Sequence, residues 1–302
     1  MTRRAFLTNA SVLAAAAVTT PACSTTAAST ATGDYDFPLG YQLYSIRDRM
    51  TADPRATLAA LRDMGYTHGE VYGFDAETGR VFGVTPTQLR AMLDEFGMRA
   101  TSGHYNFADR LDAAPDEMRH YVDACLGCAR ALGSDYLVWP LLREHQRTLD
   151  AYHRLVAQLN IIGEHLAGSG VGVAYHNHGY EFEDHGGTSG YDLIRAGTDA
   201  ERVKLQLDMY WLAYDPERTP AQLIAADPGR YVMWHIKDMH KVSRDYTELG
   251  NGSIDYRTYL PDPAASGLQH FYLEQGGNYT VDSLTSARVS AAYFKEQLRG
   301  LV

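Results

Sequence analysis

Residues 38–302 predict an α/β fold closed into a (β/α)8 TIM barrel, and three observations support this. Short apolar runs alternate eight times with longer helical patterns, which implies a parallel sheet with right-handed crossovers. Eight such units in this length match a barrel, which typically takes about 250 residues. Successive runs in the C-terminal half finish on residues of metal-ligand type: His176 and His178, Asp208, His235, and Glu274. An open doubly wound sheet is the rival. It would usually carry a phosphate loop after its first strand, and Tyr44-Ser45-Ile46-Arg47 is not one. Gly168-Ser169-Gly170 precedes a strand, so it is a turn and not a nucleotide fingerprint.

The elements follow in order. The first strand is expected at residues 39–45, and a helix at 54–64 has Pro54 at its start and Gly65 after its end. A strand at 68–72 precedes a helix capped by Thr85, opened by Pro86 and closed by Gly97. Strand 98–102 ends beside His104, helix 117–132 ends before a glycine, and strand 136–139 leads to helix 147–166. Val171, Val173 and Tyr175 alternate with Gly172 and Ala174 as a fifth strand, followed by a short helix at 191–196. Strand 203–207 precedes a helix capped by Thr219-Pro220, and strand 231–236 runs into a Gly-rich loop at 249–255 and a short helix at 256–260. Strand 271–273 and a closing helix at 281–298 complete the chain.

The first 23 residues predict an export signal and not a fold element. Arg3-Arg4 followed by Phe6-Leu7 and an alanine-rich apolar stretch resembles a twin-arginine signal. Small residues before Cys23 resemble a lipoprotein cleavage site, although Thr20 stands where leucine is expected; ordinary cleavage near Ala22 is the alternative. Residues 24–37 read as a flexible tether rich in Ser, Thr and Ala. The expected location is the periplasm, free or lipid-anchored, with membrane contact only through Cys23. No apolar run reaches the roughly 18–20 residues of a spanning helix.

The formal net charge is −10, and removing the two arginines of the signal makes it −12. Acidity of this size disfavours nucleic acid as a partner, and no Lys/Arg cluster offsets it. Self-association into a homo-oligomer is left open. Cys125 and Cys128 lie three apart on a helical pattern, where a disulfide is geometrically poor, so they read as small buried residues.

In a barrel the active site forms at the C-terminal ends of the strands. This sequence places Gln42 and Tyr44, Glu70 and Tyr72, His104, His176 and His178, Gln206 and Asp208, His235 and Lys237, and Tyr272 and Glu274 there. Residues two apart on a strand share a face, so each pair is expected to point inward. Imidazoles with carboxylates form a mixed N/O site suited to Mn²⁺, Co²⁺, Zn²⁺ or Fe²⁺ rather than Ca²⁺. Each residue alone has a plainer explanation: a hydrogen-bonded structural His, Asp208 as a helix cap, Glu274 paired with Arg47, Lys237-Asp238 as a surface pair. The joint pattern favours the metal. Twenty-one tyrosines, with Trp211, suit a rim that binds a sugar.

The body resembles the sugar phosphate isomerase/epimerase family of xylose isomerase-like TIM barrels. The resemblance is carried by Gly40 to Asp48, Tyr175-His176-Asn177-His178 through Glu181-Phe182, Leu207-Asp208 with Trp211, His235-Ile236-Lys237-Asp238, Gly250-Asn251-Gly252 followed by Ile254-Asp255, and Leu273-Glu274-Gln275. It implies one divalent metal, most often Mn²⁺, held by His176, Asp208, His235 and Glu274. Many sugar epimerases of the family have a glutamate on strand five where this chain has His176 or its neighbours, so Glu181 or Glu70 would have to supply a second carboxylate base. The expected reaction is isomerisation or epimerisation of a non-phosphorylated sugar or keto-sugar through an enediolate. Glu274 or His178 would move the proton, and Lys237 would meet the oxyanion charge. Gln42, Glu70, His104 and Trp211 are expected to bind substrate. Elimination from a 3-keto-glycoside is the alternative reaction, a non-catalytic sugar-binding barrel the alternative class, and a metal-dependent nuclease a third reading opposed by the acidic charge.

Overall fold

The computed structural model describes residues 35–215 and 217–302, so the signal, Cys23 and most of the tether lie outside the described residues. Eight parallel strands close into a barrel: β1 (Gly40–Gln42), β2 (His68–Tyr72), β3 (Arg99–His104), β4 (Tyr136–Trp139), β5 (Gly172–His176), β6 (Val203–Asp208), β7 (Met233–Ile236) and β8 (His270–Leu273). β1 pairs with both β2 and β8, which closes the ring and leaves no edge strand. No described helix is long and apolar enough to cross a membrane.

The helices form where the sequence signals them. Thr85 caps Pro86–Glu95 with a full capping box, as Thr219 does for Pro220–Ala226. Gly133 closes Pro115–Leu132 at φ 73°, a left-handed cap that glycine adopts without strain. Cys125 and Cys128 are free and buried on the inner face of that helix.

Two segments depart from the expected pattern. The first strand stops at Gln42, because the Gln42 side chain accepts the backbone N–H of Tyr44 and turns the chain into a 3-10 helix, Leu43–Ile46, followed by the helix Arg47–Ala52. The two-residue period therefore ends at Gln42, and Tyr44 packs edge-on against Tyr72, with 4.7 Å between ring centroids, instead of pointing inward. After β7, Asp238–Met239 and Tyr246–Thr247 form a small antiparallel hairpin where only loop was expected.

Packing places the core in two layers. Most buried apolar side chains form one cluster, which includes the inner faces of the helices. A smaller cluster contains Tyr136, Val138, Ala174, Met233 and Tyr272. Tyr272 spans the barrel interior from β8 to β3, where its hydroxyl bonds Thr101 and Ser102 at 2.7 and 2.8 Å. Close approach of β8 explains Gly40, where a Cβ would lie 2.2 Å from the Phe271 carbonyl oxygen and 2.7 Å from the Tyr272 ring.

Candidate functional site

Register between strands sets which inward side chains share a level. Gln42, Glu70 and Ser102 are directly paired across β1, β2 and β3; His176 pairs with Gln206 across β5 and β6; Asp208 pairs with His235 across β6 and β7. These rows converge on Glu70, which is fully buried. Its Oε1 accepts Ser102 Oγ at 2.6 Å and Gln206 Nε2 at 2.7 Å. Its Oε2 accepts Gln42 Nε2 and His235 Nε2, both at 2.6 Å. An unpaired carboxylate here would cost several kcal/mol in desolvation, and these donors offset that cost. Burial favours the neutral acid, but His104 and His235 overcome it and hold Glu70 well below the usual carboxylate range.

The same network assigns the imidazole tautomers. Gln206 donates its amide to Glu70, so its Oε1 faces His104 Nε2 at 2.8 Å and His176 Nδ1 at 2.9 Å. His176 therefore carries its proton on Nδ1, and its Nε2 lone pair faces Asp208 Oδ2 at 3.5 Å. His235 gives its Nε2 proton to Glu70, which turns Nδ1 toward Glu274 Oε2 and, at 4.0 Å, Asp208 Oδ2. Orienting a ligand imidazole through its second nitrogen is a common device at metal centres.

Ligand-type atoms of Asp208, His235 and Glu274 lie within 4.8 Å of one another, as do those of His104, His176 and His235. These groups can hold a metal ion. His104 Nε2 is committed to Gln206, so the better set is Asp208, His235 and Glu274 with His176 beside Asp208.

Four observations fit a divalent cation there. The donors are two imidazoles and two carboxylates, a set that transition metals prefer. Asp208 Oδ2 is buried with the Lys237 ammonium, 2.6 Å away, as its one close partner, which leaves it capacity for a cation. Glu70, Asp208 and Glu274 against Lys237 leave a charge of −2 when the imidazoles are neutral, and a divalent cation cancels it. His235 Nδ1 against Glu274 is likewise a contact that only a proton or a cation makes favourable. Burial opposes charge on His235, but Glu70 and Glu274 outweigh it and raise the imidazole to about 9.

Asp208 serves two ends at once: Oδ1 caps the helix Met209–Leu212 by accepting Trp211 N at 3.1 Å, and Oδ2 faces the cluster. Lys237 Nζ also reaches Glu274 Oε2 at 3.0 Å. Burial would raise Glu274, but Lys237 and His235 keep it ionised far below its ordinary value. Lys237 and Asp238 are both buried, so they are not a surface pair. Asp238 accepts the backbone N–H of Met239, Gly250, Gly252 and Ile254 at 2.8–3.2 Å. That fixes the loop after β7 and explains Gly252, whose Cβ would sit 2.0 Å from Asp238 Oδ1. Arg47 bonds backbone carbonyls of Tyr44 and Gly276, not Glu274.

His178 lies just past the end of β5, its ring centroid 5.1 Å from that of His176. Glu181 holds the turn by accepting His178 N at 2.8 Å and Tyr175 Oη at 2.6 Å. Burial, helped by the Lys237 ammonium, pulls His178 down to about 3, which keeps it a neutral base. Burial also pushes Glu181 up to about 7, and its position beneath the loop separates it from the ligand cluster.

Of the residues expected to bind substrate, Trp211 lines a cavity of about 710 Å³ that His178 also lines, and His104 lines a second cavity of about 230 Å³. Gln42 and Glu70 lie beneath the cluster and line neither. Sequence reasoning placed Gln206 at a strand end without a role; its position two residues before Asp208 was the available signal. For Ser102, Arg147, Tyr214 and Tyr246 no spacing pointed to the site.

Residues 58–275 match the family model described as xylose isomerase-like TIM barrel. The chain belongs to that family. Among solved xylose isomerase-like barrels it is similar to a sugar phosphate isomerase/epimerase from Parabacteroides distasonis ATCC 8503, with 22% identity, TM-score 0.72, and coverage of 93% of this chain and 99% of that one. It is also similar to an L-ribulose 3-epimerase, with 18% identity, TM-score 0.64 and coverage of 88% and 94%. A third such barrel, the IOLI protein with a bound zinc atom, shows 14% identity, TM-score 0.62 and coverage of 85% and 97%. At these identities the likeness is one of fold. No curated protein matches the sequence.

Proposed function

We propose that the protein is an exported, divalent-metal-dependent sugar isomerase or epimerase acting on a non-phosphorylated sugar or keto-sugar. The observation that carries this reading is the grouping of Asp208 Oδ2, His235 Nδ1 and Glu274 Oε2, with His176 Nε2 3.5 Å from Asp208 and tautomers set by Gln206 and Glu70. Mixed N/O donors favour Mn²⁺, with Co²⁺, Zn²⁺ or Fe²⁺ as substitutes. The epimerase neighbours support a sugar substrate, and the export signal supports a periplasmic one. The wall of the larger cavity carries two acids, Glu183 and Asp215, against one arginine, Arg147, and Arg143 in the smaller is paired with Asp109 at 2.8 Å, which disfavours a phosphate.

A divalent cation held there supplies Lewis acidity toward adjacent carbonyl and hydroxyl oxygens of the sugar. His178, on the cavity wall, is the group placed to accept the proton from the carbon next to the carbonyl. The C–H electron pair moves to the carbonyl oxygen, and Lys237 stabilises the charge of the enediolate. Return of the proton to the neighbouring carbon, with the hydroxyl proton passing from one oxygen to the other, gives the isomer; return to the opposite face of the same carbon, which needs a second acid, gives the epimer. Glu274 is the second candidate for the proton, although its Oε2 is already engaged by Lys237 and His235. Elimination from a 3-keto-glycoside shares the first step and is favoured by the size of the larger cavity.

The test is to incubate Mn²⁺-loaded protein with sugars and 3-keto-glycosides in D₂O. Deuterium uptake without release of aglycone supports the isomerase, and release supports elimination. A protein that binds metal and sugar yet exchanges no C–H proton is a sugar-binding barrel, and the proposal fails.

A further inference from the structure

The mouth of the barrel holds two cavities, one lined by His178 and the other by His104. The larger includes Arg147, His178, Trp211, Tyr214 and Tyr246 in its wall, and the smaller includes Tyr72, Phe74, His104 and Arg143. His176 stands between them, its ring centroid 5.1 Å from His178 on one side and 5.0 Å from His104 on the other. The larger volume, about 710 Å³, falls within the roughly 300–1,000 Å³ of sites that enclose drug-sized ligands, and the smaller, about 230 Å³, lies below it, nearer the size of one sugar ring.

Exposure points the same way. Five large apolar side chains are exposed among the described residues, and only Tyr72 and Tyr214 are aromatic, each 39% exposed. Each lines one of the two cavities. Both are braced: Tyr72 packs edge-on against Tyr44, and Tyr214 continues a stack from Trp211 at 5.6 Å between centroids. An aromatic ring held half in solvent at a cavity edge suits the C–H face of a sugar or a second planar ring.

We infer that the two cavities are paired subsites, and that the substrate is a glycoside of two rings lying across the ligand cluster. This rests on the sugar reading proposed above and deepens it. The shared chemistry is a sugar ring joined through a glycosidic oxygen to a second flat-faced, uncharged ring, either another sugar or an aromatic aglycone, with the reacting carbonyl at a reducing end or as a keto group on the sugar ring. An acidic balance in the wall of the larger cavity and the pairing of Arg143 with Asp109 in the smaller both disfavour an anionic ligand.

The experiment is calorimetric binding to the Mn²⁺-loaded full chain, using glucose, cellobiose and 4-nitrophenyl β-glucoside, with their galacto counterparts. The expected result is that two-ring probes bind about tenfold or more tighter than the free sugar, and that Tyr72→Ala and Tyr214→Ala each weaken them about tenfold. The free sugar responds to only one of the two substitutions. Preference for cellobiose identifies the second ring as a sugar, and preference for the nitrophenyl compound identifies it as an aromatic aglycone. Unchanged melting temperatures show that these edge substitutions leave the fold intact. The inference is overturned if the free sugar binds as tightly as the two-ring probes, if neither substitution changes their affinity, or if no probe binds. Deuterium exchange on the same samples separates the two readings. Exchange of a monosaccharide that binds as tightly as a glycoside leaves the isomerase standing and removes the second subsite. Two-ring binding without exchange in glucose or cellobiose, which keep a reducing carbonyl, does the reverse; the nitrophenyl glucoside has no carbonyl and reports binding alone.

Discussion

Two arcs of the barrel mouth use similar polar side chains for different ends. On the arc from β5 to β8, Asp208, His235 and Glu274 bring ligand atoms within 4.8 Å of one another, His176 Nε2 faces Asp208 Oδ2 at 3.5 Å, and that Asp208 oxygen has only the Lys237 ammonium as a partner. On the arc from β1 to β3, Gln42, Glu70 and Ser102 are fully buried and bonded to one another. The difference lies in what remains unsatisfied. A polar group whose hydrogen bonds are complete supports its neighbours, and one with capacity to spare can take a ligand. Glu70 joins the arcs, because its hold on His235 Nε2 sets which nitrogen faces the cluster.

The comparison breaks most completely at Asp208. Asp208→Ala is expected to reduce bound metal from near one equivalent to less than about a tenth, measured by atomic absorption, because it removes a central ligand. The lost helix cap costs about 1 kcal/mol, so the barrel stays folded by circular dichroism. Metal content equal to wild type would remove Asp208 from the ligand set.

Lys237→Met separates binding from chemistry within the same arc. Removing the ammonium makes the site more negative, so metal affinity rises in a chelator competition, while turnover in the deuterium assay falls on the order of 10²–10³-fold. Weaker metal binding would mean that Lys237 organises the ligands instead of opposing the cation.

Glu70→Gln tests the link between the arcs. It takes away the charged acceptor that orients His235, and metal affinity should fall about 10–100-fold with the ligands themselves untouched. No change would reduce Glu70 to packing.

The smallest effect belongs to Glu181, beneath the His178 turn. Its folded value, about 7, stands above the ordinary 4.5 because of burial. The stability this contributes is therefore full below about pH 4.5 and is lost as pH rises through about 7. Relative to wild type, Glu181→Gln should gain on the order of 2–3 kcal/mol between pH 5 and pH 8, read from denaturant midpoints at each pH. A pH-independent difference would show that the carboxyl is ionised throughout.

Much of this was legible before any coordinates, and particular residues show why. Helix limits were written in local chemistry, as at Thr85-Pro86 and Gly133. The ligand-type residues were written in the two-residue period of β5 to β8, since alternation along a strand needs only near neighbours. The period misled at Tyr44, where one side chain, Gln42, captured a backbone N–H and ended the strand. It also treated Glu70 as a surface for substrate.

The sequence by itself determined that strand and helix alternate eight times and that imidazoles and carboxylates stand at successive strand ends. Tertiary structure alone decided that Glu70 meets His235, 165 residues away, that Gln206 sets the His176 tautomer, and that the mouth divides into two cavities. The physical reason is one of range. Which face a residue occupies follows from its own backbone, but which faces meet depends on barrel closure and register, and these are settled by pairings among strands far apart in the chain.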